Sequence, residues 1–428
     1  MGNSVREERI TVQIDDTYDI VVAGGGPAGL SAAACAAQHG ARVLLVEKHA
    51  EIGSPTRTSG ATFIADMVRL GVPPRLYHPI GRSQFFGPTT EAHFMFDKPV
   101  MCVTNVKGLY QWLAEQAIIA GATLRLGTTV QDVSRDETTV LGVQIRDQQG
   151  KVRFISCPLI IDATGFSSTV AVKAGMQANY RRVGVGAEAD LYAPNFPQDN
   201  LVLIVGNRIA PNGYAWAFPY GGHRVRVGVG VTRPEIKADP AEHLDLLLHD
   251  YAPLRDAFKG ASPVEVHTGV IPVEGAQERL VGNGIMTAGD AAGQSSALVG
   301  EGIRYAMYGG RLAGEIAARA SAGGDVSANA LAPYEAGWRR RFGRNLSVAY
   351  IINRQITPYS DVEWDDGVRM LMHLNARTYG QLLASNFSLG LGLRALATRP
   401  QLIGALTRTV RRGLTKRAVV PPRPQPAN

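Results

Sequence analysis

Several short stretches place residues that could do chemistry at spacings that matter. Gly24, Gly26 and Gly29, with Pro27 and Ala28 between them, fit the pattern G-x-G-x-x-G. The first glycine of such a run allows a tight turn, the second lets a diphosphate approach the backbone, and the third lets helix and strand pack closely. Glu47 follows Gly29 by 18 residues, with Lys48 beside it; a carboxylate there can accept hydrogen bonds from ribose hydroxyls. Farther on come Asp162-Ala163-Thr164-Gly165, Gly289-Asp290 and Gly300-Glu301-Gly302-Ile303. Between them lies Tyr214-x-Trp216-x-Phe218-Pro219, followed by Gly228-x-Gly230.

The elements that must position these residues can be read from the same sequence. Tyr18 to Ala23 reads as a buried strand, Leu30 to His39 as an Ala-rich helix stopped by Gly40, and Arg42 to Val46 as a second strand. Strand, glycines, helix, strand and acid in that order specify a dinucleotide site, with phosphates on the helix N-terminus. Gly221-Gly222 suits a two-residue hairpin turn. Closing the hairpin there sets Phe218 opposite Val225, Trp216 opposite Val227 and Tyr214 opposite Val229. The three aromatics then share a face with valines, while Gly213, Ala215, Ala217, Gly228 and Gly230 form a nearly bare opposite face.

Composition narrows the possibilities. The 428 residues are 45% apolar and 19% charged, which is ordinary globular usage. No run of eighteen apolar residues is present, which predicts no membrane-spanning helix. Met1 to Asp16 is polar with mixed charges and reads as no secretory leader. Cys35, Cys102 and Cys157 lie far apart, which suggests neither a disulfide framework nor a zinc or other metal site. The net charge of +7 is unevenly placed, because no acidic residue follows Asp366 and ten Arg or Lys do. A near-neutral body with a basic tail points to an anionic surface rather than to nucleic acid. Leu402, Ile403, Leu406, Val410 and Leu414 recur at helical spacing among cations, as in a helix lying on an anionic bilayer.

The strand ending in Asp162-Ala163-Thr164-Gly165 and the segment around Gly289-Asp290 resemble the signatures of two-dinucleotide-binding flavoproteins. In them the aspartate holds the ribityl chain of FAD, a role that falls here to Asp290. The helix opened by Gly300, Gly302 and Ile303 would face the flavin N1/O2 edge. Gly282-Asn283-Gly284 lacks the third glycine of a second fingerprint, which predicts that no dedicated NAD(P)H domain is present. Electrons would then come from transiently docked NAD(P)H or a ferredoxin-like protein.

Tyr214-x-Trp216-x-Phe218-Pro219 with Gly228-x-Gly230 resembles the YxWxFP…GxG signature of the geranylgeranyl reductase family, and Val299 to Met307 fits as well. The resemblance covers about residues 17 to 345. It implies a p-hydroxybenzoate-hydroxylase-type fold of α/β class (α+β overall). In that fold a Rossmann-type FAD domain (17–80, 103–175 and 273–320) would carry an inserted antiparallel substrate sheet (81–102 and 176–272). Residues 321–428 would form a helical region ending in the basic tail. It also implies saturation of polyprenyl double bonds on a lipid, quinone or diphosphate, by hydride from reduced flavin N5 and then protonation. Tyr214, Trp216, Phe218, Pro219, Gly228 and Gly230 would form the substrate wall, with Tyr214 a weak candidate proton donor, and Arg57 would lie near the flavin. Thr58 and Ser59 stand where many members have Cys, and Lys107 where a flavin-contacting Arg is common. The expected location is cytoplasmic, peripheral at the inner membrane face. The alternatives are a flavin monooxygenase or hydroxylase on the same scaffold, and a non-catalytic prenyl-lipid escort; the W-x-W-x-I-P string of halogenases is absent.

Overall fold

The structure, a computed structural model, describes residues 14–136 and 139–387. The basic helix expected from Pro400 onward lies outside these residues. After a short strand at Ile14–Thr17, the chain runs through β1 (Ile20–Ala23), α1 (Pro27–Gln38) and β2 (Val43–Val46). It continues through β3 (Arg82–Phe86), β4 (Glu91–Met95), α2 (Val106–Ile119), β5 (Thr123–Arg125) and β6 (Leu159–Asp162). Next come β7 (Val183–Tyr192), β8 (Asn200–Gly206), β9 (Ala210–Gly221), β10 (Arg224–Arg233), α3 (Pro240–Asp250) and β11 (Ser262–Pro272). The last elements are β12 (Ile285–Thr287), α4 (Ile303–Ala322), α5 (Ala328–Trp338), α6 (Arg344–Ile356), α7 (Asp361–Leu371) and α8 (Ala376–Leu383). Among the described residues no helix is long and apolar enough to cross a membrane.

One sheet runs Val281–Gly282, β12, β6, β1, β2, β5, with β12 through β5 paired in parallel. Its central strands are apolar throughout because both faces are buried. Ile20 and Val22 face α1 and α4, whereas Val21 and Ala23 face a small mixed sheet through Val143, Ile145 and Ile155. Pro27 presets the first turn of α1, and an Ala-rich surface lets α4 lie close against it. Gly310 and Gly314 of α4 mark that contact, since a Cβ on either would stand 2.1 and 2.3 Å from the carbonyl oxygens of Ala28 and Ala32.

The second large sheet runs β11, β7, β10, β9, β8, β3, β4. One face is covered by α3, where Leu244 and Leu247 meet Val225, Val227, Val229 and Val231. Each such side chain contributes about 1.5–3 kcal/mol when fully buried. The register differs from the one the turn residues suggest. Tyr220 is an extra residue in β9, so Pro219 pairs with Val225, Trp216 with Gly228 and Tyr214 with Gly230. The loop is Gly222-His223, with positive φ at Gly221, Gly222 and His223. A bulge shifts pairing by one residue and exchanges the partners on each face. Tyr214 and Trp216 therefore stand opposite glycines and Phe218 opposite Arg226, and the valines belong to the other face.

The C-terminal helices pack on the end of this sheet. Ser360 and Glu363 form a capping box that starts α7. Phe94 stacks on Tyr379 of α8 with centroids 3.7 Å apart. Arg304, at the start of α4, bonds Glu301, Asp66 and the carbonyl of Ala384, which holds the end of α8 against α4.

Candidate functional site

One cavity of about 880 Å³ runs from the glycine turn after β1 to the C-terminal helices. At the first end Gly24 has φ +110° and a Cβ on it would stand 2.2 Å from the Ala163 carbonyl oxygen. A Cβ on Gly29 would stand 1.9 Å from the Gly24 carbonyl oxygen, so that glycine packs helix on strand. Gly26 differs: a Cβ there would meet nothing within 4 Å, because it faces the cavity. As the N-cap of α1 it carries no side-chain cap, which leaves first-turn N–H groups directed at that space.

Glu47, at the end of β2, lines the same end beside Lys48 and His49. One carboxylate oxygen accepts from Gly25 N at 2.7 Å and the other from His49 N at 2.8 Å. Asp162 does not line the cavity. It is fully buried, and its carboxylate accepts from Thr164 N, Thr164 Oγ1 and Ala171 N. Its contribution is to shape the turn that presents Gly165, which does line the cavity.

Midway, Asp290 follows Gly289, whose φ is +66°. Asp290 is half-buried at the cavity wall, its carboxylate has no hydrogen-bond partner among the described residues, and desolvation pushes its pKa up to about 6. Opposite lie Gly300, Gly302 and Ile303, with Gly302 as the N-cap of α4 and again no side-chain cap. Arg57, Thr58 and Ser59 line this part too. Lys107 does not: it pairs with Glu51 at 2.7 Å, both side chains about half exposed. The open cradle at Gly26 and the unpartnered acid at Asp290 fit a dinucleotide with a polyhydroxylated linker.

The far end is apolar. Because the second sheet is pleated, one row of side chains crosses it: His267, Glu188, Gly228, Trp216, Leu203 and Phe85. The neighbouring row is Gly269, Gly186, Gly230 and Tyr214, a nearly bare backbone floor that lines the cavity. Gly228 lies under the Trp216 ring, since a Cβ there would be 2.4 Å from Cζ2. Trp216 Nε1 donates to Glu188 Oε2 at 2.6 Å, and Tyr214 Oη donates to the Val299 carbonyl at 2.5 Å. Burial, with Glu188 and Glu301 nearby, raises the Tyr214 pKa, so its hydroxyl stays protonated and engaged with that carbonyl. Phe218 and Tyr214 border a small adjoining cleft, while Pro219 and Gly228 shape the sheet without lining the main cavity.

The remaining wall comes from helices that no motif marks. Ile356, Tyr359, Trp364, Val368, Leu371 and Tyr379 all line it. The signal lay in apolar residues at helical spacing, among them Trp364, Val368 and Leu371 on α7. Glu188, Arg226 and His267 were also unmarked in the sequence. Arg226 is buried and joins Asp190 to the carbonyls of Ser59 and Thr104, which fixes the Arg57–Ser59 segment on the sheet.

Residues 19–224 match the family model of FAD dependent oxidoreductases, and residues 185–271 match the geranylgeranyl reductase catalytic domain. A digeranylgeranylglycerophospholipid reductase of Methanothermobacter thermautotrophicus is 32% identical over 362 residues, 83% of this chain and 91% of that protein. A digeranylgeranylglycerophospholipid reductase of Methanosarcina mazei is 33% identical, covering 82% of this chain and 87% of that one. Among solved structures, a geranylgeranyl bacteriochlorophyll reductase-like protein of Thermoplasma acidophilum aligns with a TM-score of 0.81 at 24% identity, over 92% of this chain and 99% of that one. A flavin-dependent brominase aligns with a TM-score of 0.70 at 19% identity, over 92% and 99% of the two chains, and shares the fold. The glycine cradle, the aromatic row over paired glycines and these likenesses agree: the chain belongs to the geranylgeranyl reductase family of FAD-dependent oxidoreductases, enzymes that saturate carbon–carbon double bonds of prenyl chains.

Proposed function

We propose that this enzyme binds FAD in the glycine-lined end of the cavity and reduces the isoprenoid chains of a membrane glycerophospholipid in the apolar end. One observation carries the reading: both ends belong to a single continuous cavity, with Gly26 and Asp290 at one side and Trp216, Tyr359, Trp364 and Leu371 at the other. A prenyl chain gains about 0.8 kcal/mol per buried CH₂, so such a wall selects by length and shape. The likeness to reductases named for digeranylgeranylglycerophospholipids favours a lipid over a free diphosphate.

FAD, when bound and reduced, supplies a hydride from N5. This chain's residues do the rest. Gly24, Gly26, Pro27, Ala28 and Gly29 would hold the diphosphate, with Lys48 and Arg57 as nearby cations, and Glu47 and Asp290 would take hydroxyls. Gly289, Gly300, Gly302 and Ile303 would shape the ring pocket, and the positive end of the α4 dipole favours negative charge there. The aromatic and aliphatic wall excludes water and holds the chain still. Electrons would arrive from a transient donor, NAD(P)H or a ferredoxin-like protein. Met370 lines the cavity yet is 45% exposed, which supports entry of the lipid from a membrane surface.

The test is an anaerobic single turnover of photoreduced enzyme with a geranylgeranylated glycerophospholipid, followed by mass spectrometry. A gain of about two mass units per reduced bond, with reoxidation of the flavin, is expected. A flavin that stays reduced with every prenyl substrate and reoxidises only on admission of oxygen, giving an oxygenated product, would replace this reading with a monooxygenase.

A further inference from the structure

Saturating an alkene needs a proton as well as a hydride, and three groups on the cavity floor carry exchangeable protons. The hydroxyl hydrogen of Tyr214 is directed at Val299 and the indole N–H of Trp216 at Glu188. The third group is His267. It stands opposite Glu188 on adjacent strands, in the row that passes through Trp216, and it lines the cavity. His267 and Glu188 are 8% and 4% exposed. His267 Nε2 lies 3.1 Å from Glu188 Oε1, but the two are out of line for a hydrogen bond, and neither atom has another partner. The pair is thus in contact without a hydrogen bond that locks a ring proton in place.

We propose that His267, paired with Glu188, delivers the proton to the substrate carbon. This assignment rests on the prenyl-reductase reading. The N–H bond of the imidazolium breaks as a C–H bond forms on one alkene carbon. The hydride, with its electron pair, goes to the other carbon from the reduced cofactor of the family, and the neutral ring regains a proton from solvent. His267 is two residues from Gly269 along β11, at the edge of the glycine floor. A Cβ on Gly269 would stand 2.6 Å from the Arg57 carbonyl oxygen, so the Arg57–Ser59 segment packs against β11 two residues from His267, and both line the cavity.

The charged surroundings favour this role over a metal site. The ligand atoms of Glu188, Asp190 and His267 lie within 4.8 Å of one another. Asp190, however, accepts from Arg226 Nε at 2.9 Å and from Tyr220 Oη at 3.0 Å. One Glu188 oxygen accepts from Trp216, so only Glu188 Oε1 and His267 Nε2 stay open, too few for a metal's ligand set. Arg57 turns its guanidinium to His49, 3.5 Å away, and Glu188 is the carboxylate that faces His267.

The experiment compares wild type, His267→Gln and Glu188→Gln as FAD-loaded enzymes in anaerobic single turnover across pH, in H₂O and in D₂O. Flavin content and the spectral change on lipid binding to oxidised enzyme serve as folding controls and are expected to match wild type. His267→Gln is expected to slow reduction about 100-fold or more, the usual contribution of a positioned acid. In D₂O it should also scramble the configuration of the deuterium that wild type places on one face. Glu188→Gln should slow the same step with flavin content unchanged, because the ring loses the carboxylate that faces it. A His267→Gln enzyme with wild-type rate, pH profile and facial selectivity overturns the assignment and leaves the reductase intact. A wild type that reduces no prenyl chain overturns both.

Discussion

Tyr214 donates to the carbonyl of Val299, one residue before Gly300, and so latches the substrate-side sheet to the turn that opens α4. Tyr214→Phe leaves that carbonyl without its donor at a cost of about 1–3 kcal/mol. Denaturant unfolding should show this loss, and flavin fluorescence should rise as the turn loosens. Unchanged stability would mean that the latch holds nothing.

The two inner glycines of the first turn should fail in different ways. Gly29→Ala drives a Cβ into the Gly24 carbonyl oxygen, so the domain is expected not to fold. Gly26→Ala meets no protein atom and should fold normally while losing FAD. Circular dichroism with flavin absorbance separates these outcomes, and a yellow Gly26→Ala protein would remove the diphosphate from that position.

Asp290 gives FAD binding a pH dependence of predictable sign. Burial pushes its pKa up to about 6, whereas hydroxyls of a bound linker favour the ionised form and draw it down. Affinity is therefore complete above about pH 6 and falls as pH drops through that value. Titrating apoprotein with FAD from pH 5 to 8 should show this slope, and Asp290→Asn should flatten it with weaker binding throughout.

Gly228→Ala places a methyl 2.4 Å from the Trp216 ring. The indole must tilt, which breaks its bond to Glu188 and costs about 1–3 kcal/mol. A change in tryptophan emission with weakened lipid binding is expected, while FAD content holds.

The cofactor end was legible because backbone geometry demands particular residues there: only glycine tolerates the approach of Ala163 to Gly24 or of Gly24 to Gly29. The aromatic motif was legible as a motif but misread as a surface. Turn chemistry favoured Gly221-Gly222, and nothing local announces that Tyr220 is accommodated as a bulge. Asp162 drew notice as part of a signature, yet its carboxylate serves the turn itself. Glu188, Arg226 and His267 were silent because they meet only across strands far apart in sequence. The α6–α8 wall was silent for a related reason: its apolar residues resemble those of any packed helix.

The bulge at Tyr220 has a consequence for how the hairpin can vary. Five residues separate the paired Pro219 and Val225, one more than a two-residue turn with one flanking pair can hold, and Tyr220 takes up the extra one. Removing one residue at the tip would close a bulge-free hairpin with Pro219 still opposite Val225 and would leave Tyr214, Trp216 and Phe218 on their present face. Losing the bulge at the same length would instead slip the pairing by one, turning those three toward α3 and Ala215 and Ala217 toward the cavity. The face that the aromatics present is thus set by the backbone at one unpaired position outside the motif.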